Sequence, residues 1–172
     1  LCGGSQARGE QSSHSDQDNA LLISDQLQAT QEPWFARLTE RVCDGLHACG
    51  FVYCPGDAMA KNPQWRQPLR VWRRYFHDWI DKPEPMALML SSIFFDLRPV
   101  YGDIQLFQSL QREMLEKTKG NGIFTAYMVS NALQFRPPLG FFRTFVLIHG
   151  GEHADTFDIK HRGIVPITDI AR

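Results

Sequence analysis

The chain has 172 residues, enough for one full domain or for one and part of another. With 43% apolar residues it can bury a substantial core, which excludes wholesale disorder. Against 19 acidic side chains stand 18 basic ones, a net charge of −1, so nothing global attracts nucleic acid or an anionic membrane and any anion site must be local.

In chain order the first feature is a glycine turn, Gly3-Gly4-Ser5, which opens the stretch GGSQARGEQSSHSDQDNALL. Residues 19–24 (NALLIS) read as a short buried strand. Residues 33–49 read as a helix: Pro33 suits an early helical position, and Trp34, Leu38, Val42, Leu46 and Cys49 recur at helical spacing until Gly50 breaks it. A short strand running into a loop is expected over 50–60. The next helix, 64–80, carries an apolar face of Trp65, Leu69, Trp72, Phe76, Trp79 and Ile80 that reads as core. Its second stripe, Arg66, Arg70, Arg73 and His77 with Arg74 alongside, either lines an anionic site or is a solvated face. Pro83 and Pro85 separate that helix from 86–98, where SSIFFDLR is expected as a strand ending near Asp96. Two further helices are expected over 103–118 and 121–135, divided at Gly120 and Gly122 and closed by RPPLG. FFRTFVLIHG is either a strand or a buried helical segment, since periodicity does not separate the two. The pattern is α/β, with a domain division near residue 82 or 100.

Cys2, Cys43, Cys49 and Cys54 have no CxxC spacing and suit a reducing compartment better than a disulfide framework. No stretch reaches 18 apolar residues and no signal peptide is legible, so a cytoplasmic setting is expected. The glycine turn arrives at residue 3 with no initiator methionine, as in a piece of a longer chain.

The chemistry-bearing residues gather near the start. Asp16 and Asp18, one residue apart, point to the same side of an extended backbone. Two adjacent carboxylates repel, and a hard divalent cation such as Mg²⁺ resolves the conflict. The competing reading makes Asp16 an N-cap or turn residue beside Ser15 and Asn19. Asp96 completes a three-carboxylate site if its segment pairs beside the first. Gly3 and Gly4 let backbone amides approach a phosphate, Ser5 adds a hydroxyl, and Arg8 offers charged donors. Neither a Walker loop nor a dinucleotide fingerprint occurs. A separate reading takes His149, His153, Asp155, Asp158 and His161 as a zinc hydrolase site, but the HExxH arrangement is missing.

The combination of Gly-Ser, a short helix and Asp-x-Asp resembles the signature of the polymerase-beta-like nucleotidyltransferase superfamily. It is more closely similar to the nucleotidyltransferases related to protein-PII uridylyltransferase. CPGDAMAKNPQWR at 54–66, SIFFDLRPVYGD at 92–103 and HRGIVPITDIAR at 161–172 resemble further blocks of that family, so the likeness runs almost end to end. It implies an α/β nucleotidyltransferase core with a mixed sheet over 1–100, truncated at its N-terminus, and the start of a mainly helical region over 101–172. In relatives these domains often accompany CBS and cyclic-nucleotide-binding-like domains. The strand that relatives carry before the glycine turn is reduced here to Leu1 and Cys2, a loss expected to weaken the turn and the activity.

The resemblance implies residue roles as well. Gly4 and Ser5 match the phosphate turn, with Arg8 a further candidate for the phosphates; Asp16 and Asp18 match the two metal carboxylates, and Asp96 the third carboxylate. Lys61, Arg66 and Arg98 are secondary nucleotide-binding candidates. The implied reaction is transfer of a nucleotidyl group from an NTP to an acceptor, a regulatory protein being one candidate, with Mg²⁺ or Mn²⁺ as cofactor and pyrophosphate released. No membrane or nucleic-acid partner is expected. The rival is a regulatory module that binds nucleotide without turnover.

Overall fold

A computed structural model of the chain describes residues 1–11, 15–134, 147–148 and 156–171. It divides into two compact units, Leu1–Gly120 and Asn121–Arg172. The first is a mixed α/β core of parallel two-stranded sheets interleaved with helices, and the described part of the second is helical.

In the first unit a five-residue helix, α1 (Gly4–Arg8), leads to strand β1 (Asp16–Gln17) and then β2 (Leu21–Ile23). Helix α2 (Glu32–Ala48) crosses to β3 (Val52–Tyr53), which lies parallel to β1 with Asp16 opposite Val52 and Gln17 opposite Tyr53. A second parallel pair joins β2 to β4 (Arg66–Pro68), with Leu21 opposite Arg66. Helices α3 (Leu69–Asp81), α4 (Pro85–Phe94) and α5 (Ile104–Thr118) complete the unit. Cys2 bridges antiparallel to Asn19 on one side and to Arg98 on the other, so Leu1–Cys2 runs between those two segments.

The expected α3 face is the core. Trp65, Leu69, Trp72, Phe76, Trp79 and Ile80 are all buried, and Phe94 from α4 stacks into them 4.5 Å from the Trp65 ring and 5.3 Å from Trp72. The helix itself starts five residues later than the spacing suggests. Residues Pro63–Trp65 form a 3-10 turn, capped by the Asn62 side chain accepting from the Gln64 amide, and Arg66–Pro68 are strand. Pro68 carries the reason: proline inside a helix loses a hydrogen bond, and it disfavours helical backbone at the residue before it. It sits instead as the N-cap of α3.

Two other expectations are corrected. The 86–98 segment is helix α4 followed by a turn at Phe95–Asp96, with only Arg98 in a bridge. Pro85 occupies the first helical turn, the following MALML residues are strong helix formers, and the buried Ala87, Leu88, Ser91 and Phe94 recur at helical period. On α2 the apolar stripe faces outward: Trp34, Leu38 and Val42 are exposed, while Thr39 and Cys43 are the buried residues. A polar network described below selects that face, overriding apolar content.

Three arginines of the stripe are paired within the fold. Arg66 pairs with Glu32 at 2.9 Å, Arg70 with Asp25 at 3.5 Å and Arg73 with Glu113 at 2.7 Å. In the second unit, α6 (Gly122–Ala132) is capped by the Asn121 side chain, and a π-helical turn, Lys160–Ile164, runs into α7 (Val165–Ala171). Residues 135–146, which include FFRTF and the end of the expected 121–135 helix, lie outside the described residues, as do His149, His153 and Asp155. Among the described residues no helix is long and apolar enough to cross a membrane.

Trp72 is fully buried among four aromatic rings. Trp72→Ala is expected to cost about 3–5 kcal/mol of unfolding free energy in urea titration; a loss under about 1 kcal/mol would contradict this account of the core.

Candidate active site

The site is built on one alternating tetrapeptide, Asp16-Gln17-Asp18-Asn19. Successive side chains of an extended strand face opposite ways. Gln17 and Asn19 turn inward and are buried. Gln17 Nε2 donates to the carbonyls of Cys43 on α2, at 2.9 Å, and Phe51, at 3.0 Å. Asn19 Nδ2 donates to Gln17 Oε1 at 3.1 Å, and Asn19 Oδ1 accepts from the Ala60 amide at 2.8 Å and from the Cys43 thiol at 3.5 Å. The Asn19 amide donates in turn to the Ala58 carbonyl at 3.0 Å. This relay fastens the strand to α2, to the residue before β3 and to the 54–60 loop, and it explains why α2 buries Cys43, while Arg66 donates to the Thr39 hydroxyl one turn earlier.

Asp16 and Asp18 take the other side of the alternation. One oxygen of each lies with Cys54 Sγ in a group whose members are all within 4.8 Å of one another. Among the described residues this is the one such acidic–cysteine group, and Asp96 is not in it. Burial pushes the Cys54 thiol up to about 11; a hydrogen bond to Asp18 and the charge of that carboxylate add to the rise, while the Ala58 and Gly56 amides oppose it.

The glycine turn closes on the same carboxylate. The Gly3 amide donates to the Asp18 carbonyl at 2.8 Å. Gly4 has φ +52, and a Cβ there would stand 2.8 Å from Asp18 Oδ2, so a side chain is excluded both by backbone conformation and by contact. Ser5 is the second residue of α1, and its carbonyl accepts from the Glu10 amide at 2.9 Å. Arg98 holds the far end of that helix, donating to the carbonyls of Ala7 at 3.2 Å and Gln6 at 3.3 Å.

Asp96, two residues before the Arg98 that bridges Cys2, forms an ion pair with Arg8. Arg8 Nε also donates to Glu10 Oε2 at 2.8 Å. Burial disfavours the Arg8 charge, but hydrogen bonds to Glu10 and Asp96 and their charges outweigh it, so the guanidinium pKa is raised. Thus the structure brings Gly4, Asp16 and Asp18 together and joins Arg8 to Asp96 as a second pair.

The remaining candidates lie elsewhere. Lys61 Nζ sits 3.6 Å over the Tyr53 ring and 3.8 Å from Asp44. Arg66 is buried; besides Glu32 it binds Thr39 Oγ1 at 3.2 Å and the carbonyls of Ala60 and Lys61 at 3.1 and 3.0 Å. Both border an open surface cleft with Glu40, Asp57 and Asn62. Cys54 is the site neighbour that spacing did not reveal: it stands 36 positions beyond Asp18, and the parallel β1–β3 pairing with the Asn19 bonds to Ala58 and Ala60 brings its loop to the strand.

Asn19→Ala would leave the Gln17 carbonyl oxygen and the Ala60 amide without this partner. Each buried orphan costs about 1–3 kcal/mol, so a loss of about 2–4 kcal/mol is expected in urea unfolding; a change within about 0.5 kcal/mol would show the relay to be dispensable.

Residues 1–86, half of the chain, match the family described as "Putative nucleotidyltransferase DUF294". Residues 122–172 match the one described as "Putative nucleotidyltransferase substrate binding domain". No curated protein and no solved structure matches the chain. The glycine turn pressed on Asp18, the paired carboxylates and the helical second unit all lie within these two matches, and the chain belongs to the DUF294 nucleotidyltransferase family.

Proposed function

We propose that the protein transfers a nucleotidyl group from an NTP to an acceptor hydroxyl and releases pyrophosphate. The observation that carries the reading is the left-handed Gly4, without a side chain, set against the Asp18 carboxylate beside Asp16. A bare backbone turn beside two carboxylates supports the binding of a metal-bound triphosphate. Two carboxylates fit Mg²⁺, or Mn²⁺ in its place, because magnesium takes one or two protein carboxylates and fills its shell with phosphate oxygens and water. Asp16 and Asp18 would hold it, and when bound it neutralises charge on the triphosphate.

The chain's own groups do the rest. The Gly4 and Ser5 amides bind phosphate oxygens, with the Ser5 hydroxyl as a further donor, while the Gly3 amide stays on the Asp18 carbonyl. Arg8 exchanges its carboxylate partners for the β- and γ-phosphates, a like-for-like exchange of charge-assisted hydrogen bonds. That exchange leaves Asp96 to take the proton of the acceptor hydroxyl as its oxygen bonds to the α-phosphorus and the bond to pyrophosphate breaks. Arg98 supports the turn through the carbonyls of α1, and Arg66 supports the loop that carries Lys61. The resemblance of the sequence blocks to nucleotidyltransferases related to protein-PII uridylyltransferase suggests a regulatory protein as acceptor, with the second unit contributing to its binding. Four free cysteines favour the reducing cytoplasm as the setting.

Incubation with Mg²⁺, cell extract and NTP labelled at either the α- or the γ-phosphate tests this. Label is expected on an acceptor from the α-position alone, with pyrophosphate released. Nucleotide binding without pyrophosphate release, across the extract, would replace the proposal with a regulatory nucleotide-binding module. Asp16→Asn and Asp18→Asn are each expected to abolish metal-dependent transfer. Arg8→Ala should act mainly on KM for NTP and Asp96→Asn mainly on kcat; the reverse split would overturn their assigned roles.

A further inference from the structure

Helix α2 carries a face that the rest of the fold leaves open. Trp34, Leu38 and Val42 are exposed along it, Trp34 by 55%, although a tryptophan is highly buried on average. Gly45 continues the same face about three turns beyond Trp34, and a Cβ there would meet nothing within 4 Å. An open groove of about 310 Å³ runs between Trp34, Arg37, Leu38 and Arg41. Among the described residues neither of these arginines forms a salt bridge.

The flank of that face carries its own counter-charge. Arg37 and Asp44, about two turns apart, share one flank, with Glu40 between them. Asp44 uses Oδ1 for the Tyr53 hydroxyl at 2.7 Å and for Lys61 at 3.8 Å, and its side chain is 53% exposed, which leaves Oδ2 to a further donor. A two-fold axis across the helix sets a flank against the same flank of a second copy running the other way. Centred midway between Arg37 and Asp44, it places Arg37 of each copy opposite Asp44 of the other. The same register places Leu38 opposite Val42 and Trp34 opposite the bare Gly45 and Ala48. Arg41, nearest the axis, turns to Glu40 of the other copy. Tryptophan and arginine are the side chains that most often anchor an interface.

We infer that α2 is a self-association surface, through which two copies of the chain pair antiparallel about a two-fold axis near residues 40–41. A helix of 17 residues is about 25 Å long, and one pair of them falls at the low end of interface size, below roughly 1,200 Å². The dimer is therefore weak and concentration-dependent. The inference stands apart from nucleotidyl transfer, because this face lies across α2 from the buried Cys43 whose carbonyl holds Gln17.

Sedimentation of the whole chain across a dilution series tests this, with circular dichroism as the check on folding. The mass is expected to rise from monomer to dimer with concentration and no further. Leu38→Glu and Arg37→Asp should each weaken association at least about tenfold, and Arg37→Asp combined with Asp44→Arg should recover most of the loss. Register is read separately by disulfide crosslinking in a Cys49→Ser background, which removes the exposed thiol. Arg41→Cys, close to the axis, is expected to link two copies. Ala48→Cys, roughly 20 Å from its counterpart in the antiparallel register, is not. A chain that stays monomeric at every concentration overturns the inference, as does association that survives Leu38→Glu. Crosslinking at position 41 alone upholds the pairing, and any other pattern overturns it, including where the exchanged-charge variant does not fold.

Discussion

The buried amide relay of Gln17 and Asn19 is the constraint on which the first unit depends. A side-chain amide taken out of water must find partners for its donors and acceptor, or the fold loses several kcal/mol, on the order of 1–3 for each group left unmet. Gln17 finds them in carbonyls from α2 and from the residue before β3, and Asn19 in Gln17 and in the Ala60 amide. Each bond therefore fixes a different element against the same short strand. Because side chains alternate along that strand, satisfying the inward pair also sets the direction of Asp16 and Asp18.

The relay explains a conflict between pattern and packing. Helix α2 turns Trp34, Leu38 and Val42 to solvent, while Phe35 and Leu46 are half-buried on the side of Thr39 and Cys43. Its inward face must present the Cys43 carbonyl to Gln17 and the Thr39 hydroxyl to Arg66. Polar satisfaction here outweighs apolar area, since an exposed apolar side chain forgoes only part of its transfer energy whereas an orphaned buried amide bears the full desolvation penalty.

Charge follows the same economy. Arg66, Arg70 and Arg73 are each matched to a carboxylate from another element, so they stabilise the assembly of helices and strands. Arg8 is different in kind, because both of its carboxylate partners sit at the edge of the glycine turn and offer the oxygen geometry that a phosphate also offers. A cation held ready by exchangeable partners costs less to redirect than one locked among backbone carbonyls, as Arg66 is.

Local signals were enough for much of this. Asp-x-Asp on an extended segment, the glycines before it, the α3 core face and the helix over α2 are read directly from residue type and period, because alternation and helical spacing are properties of the backbone alone. Pro68 and the MALML run also carried local information, on where α3 begins and on α4 being a helix, although an apolar run by itself fits either secondary structure. What no local signal contains is which distant groups meet. That Cys54 joins the acidic pair and that α2 turns its apolar stripe outward follow from the parallel β1–β3 pairing and the burial of two amides, and that Asp96 meets Arg8 follows from the bridge between Cys2 and Arg98. The sequence by itself determined the chemistry that is present; only the tertiary structure decided which of it shares one site, because pairing and polar satisfaction are settled between elements and not within them.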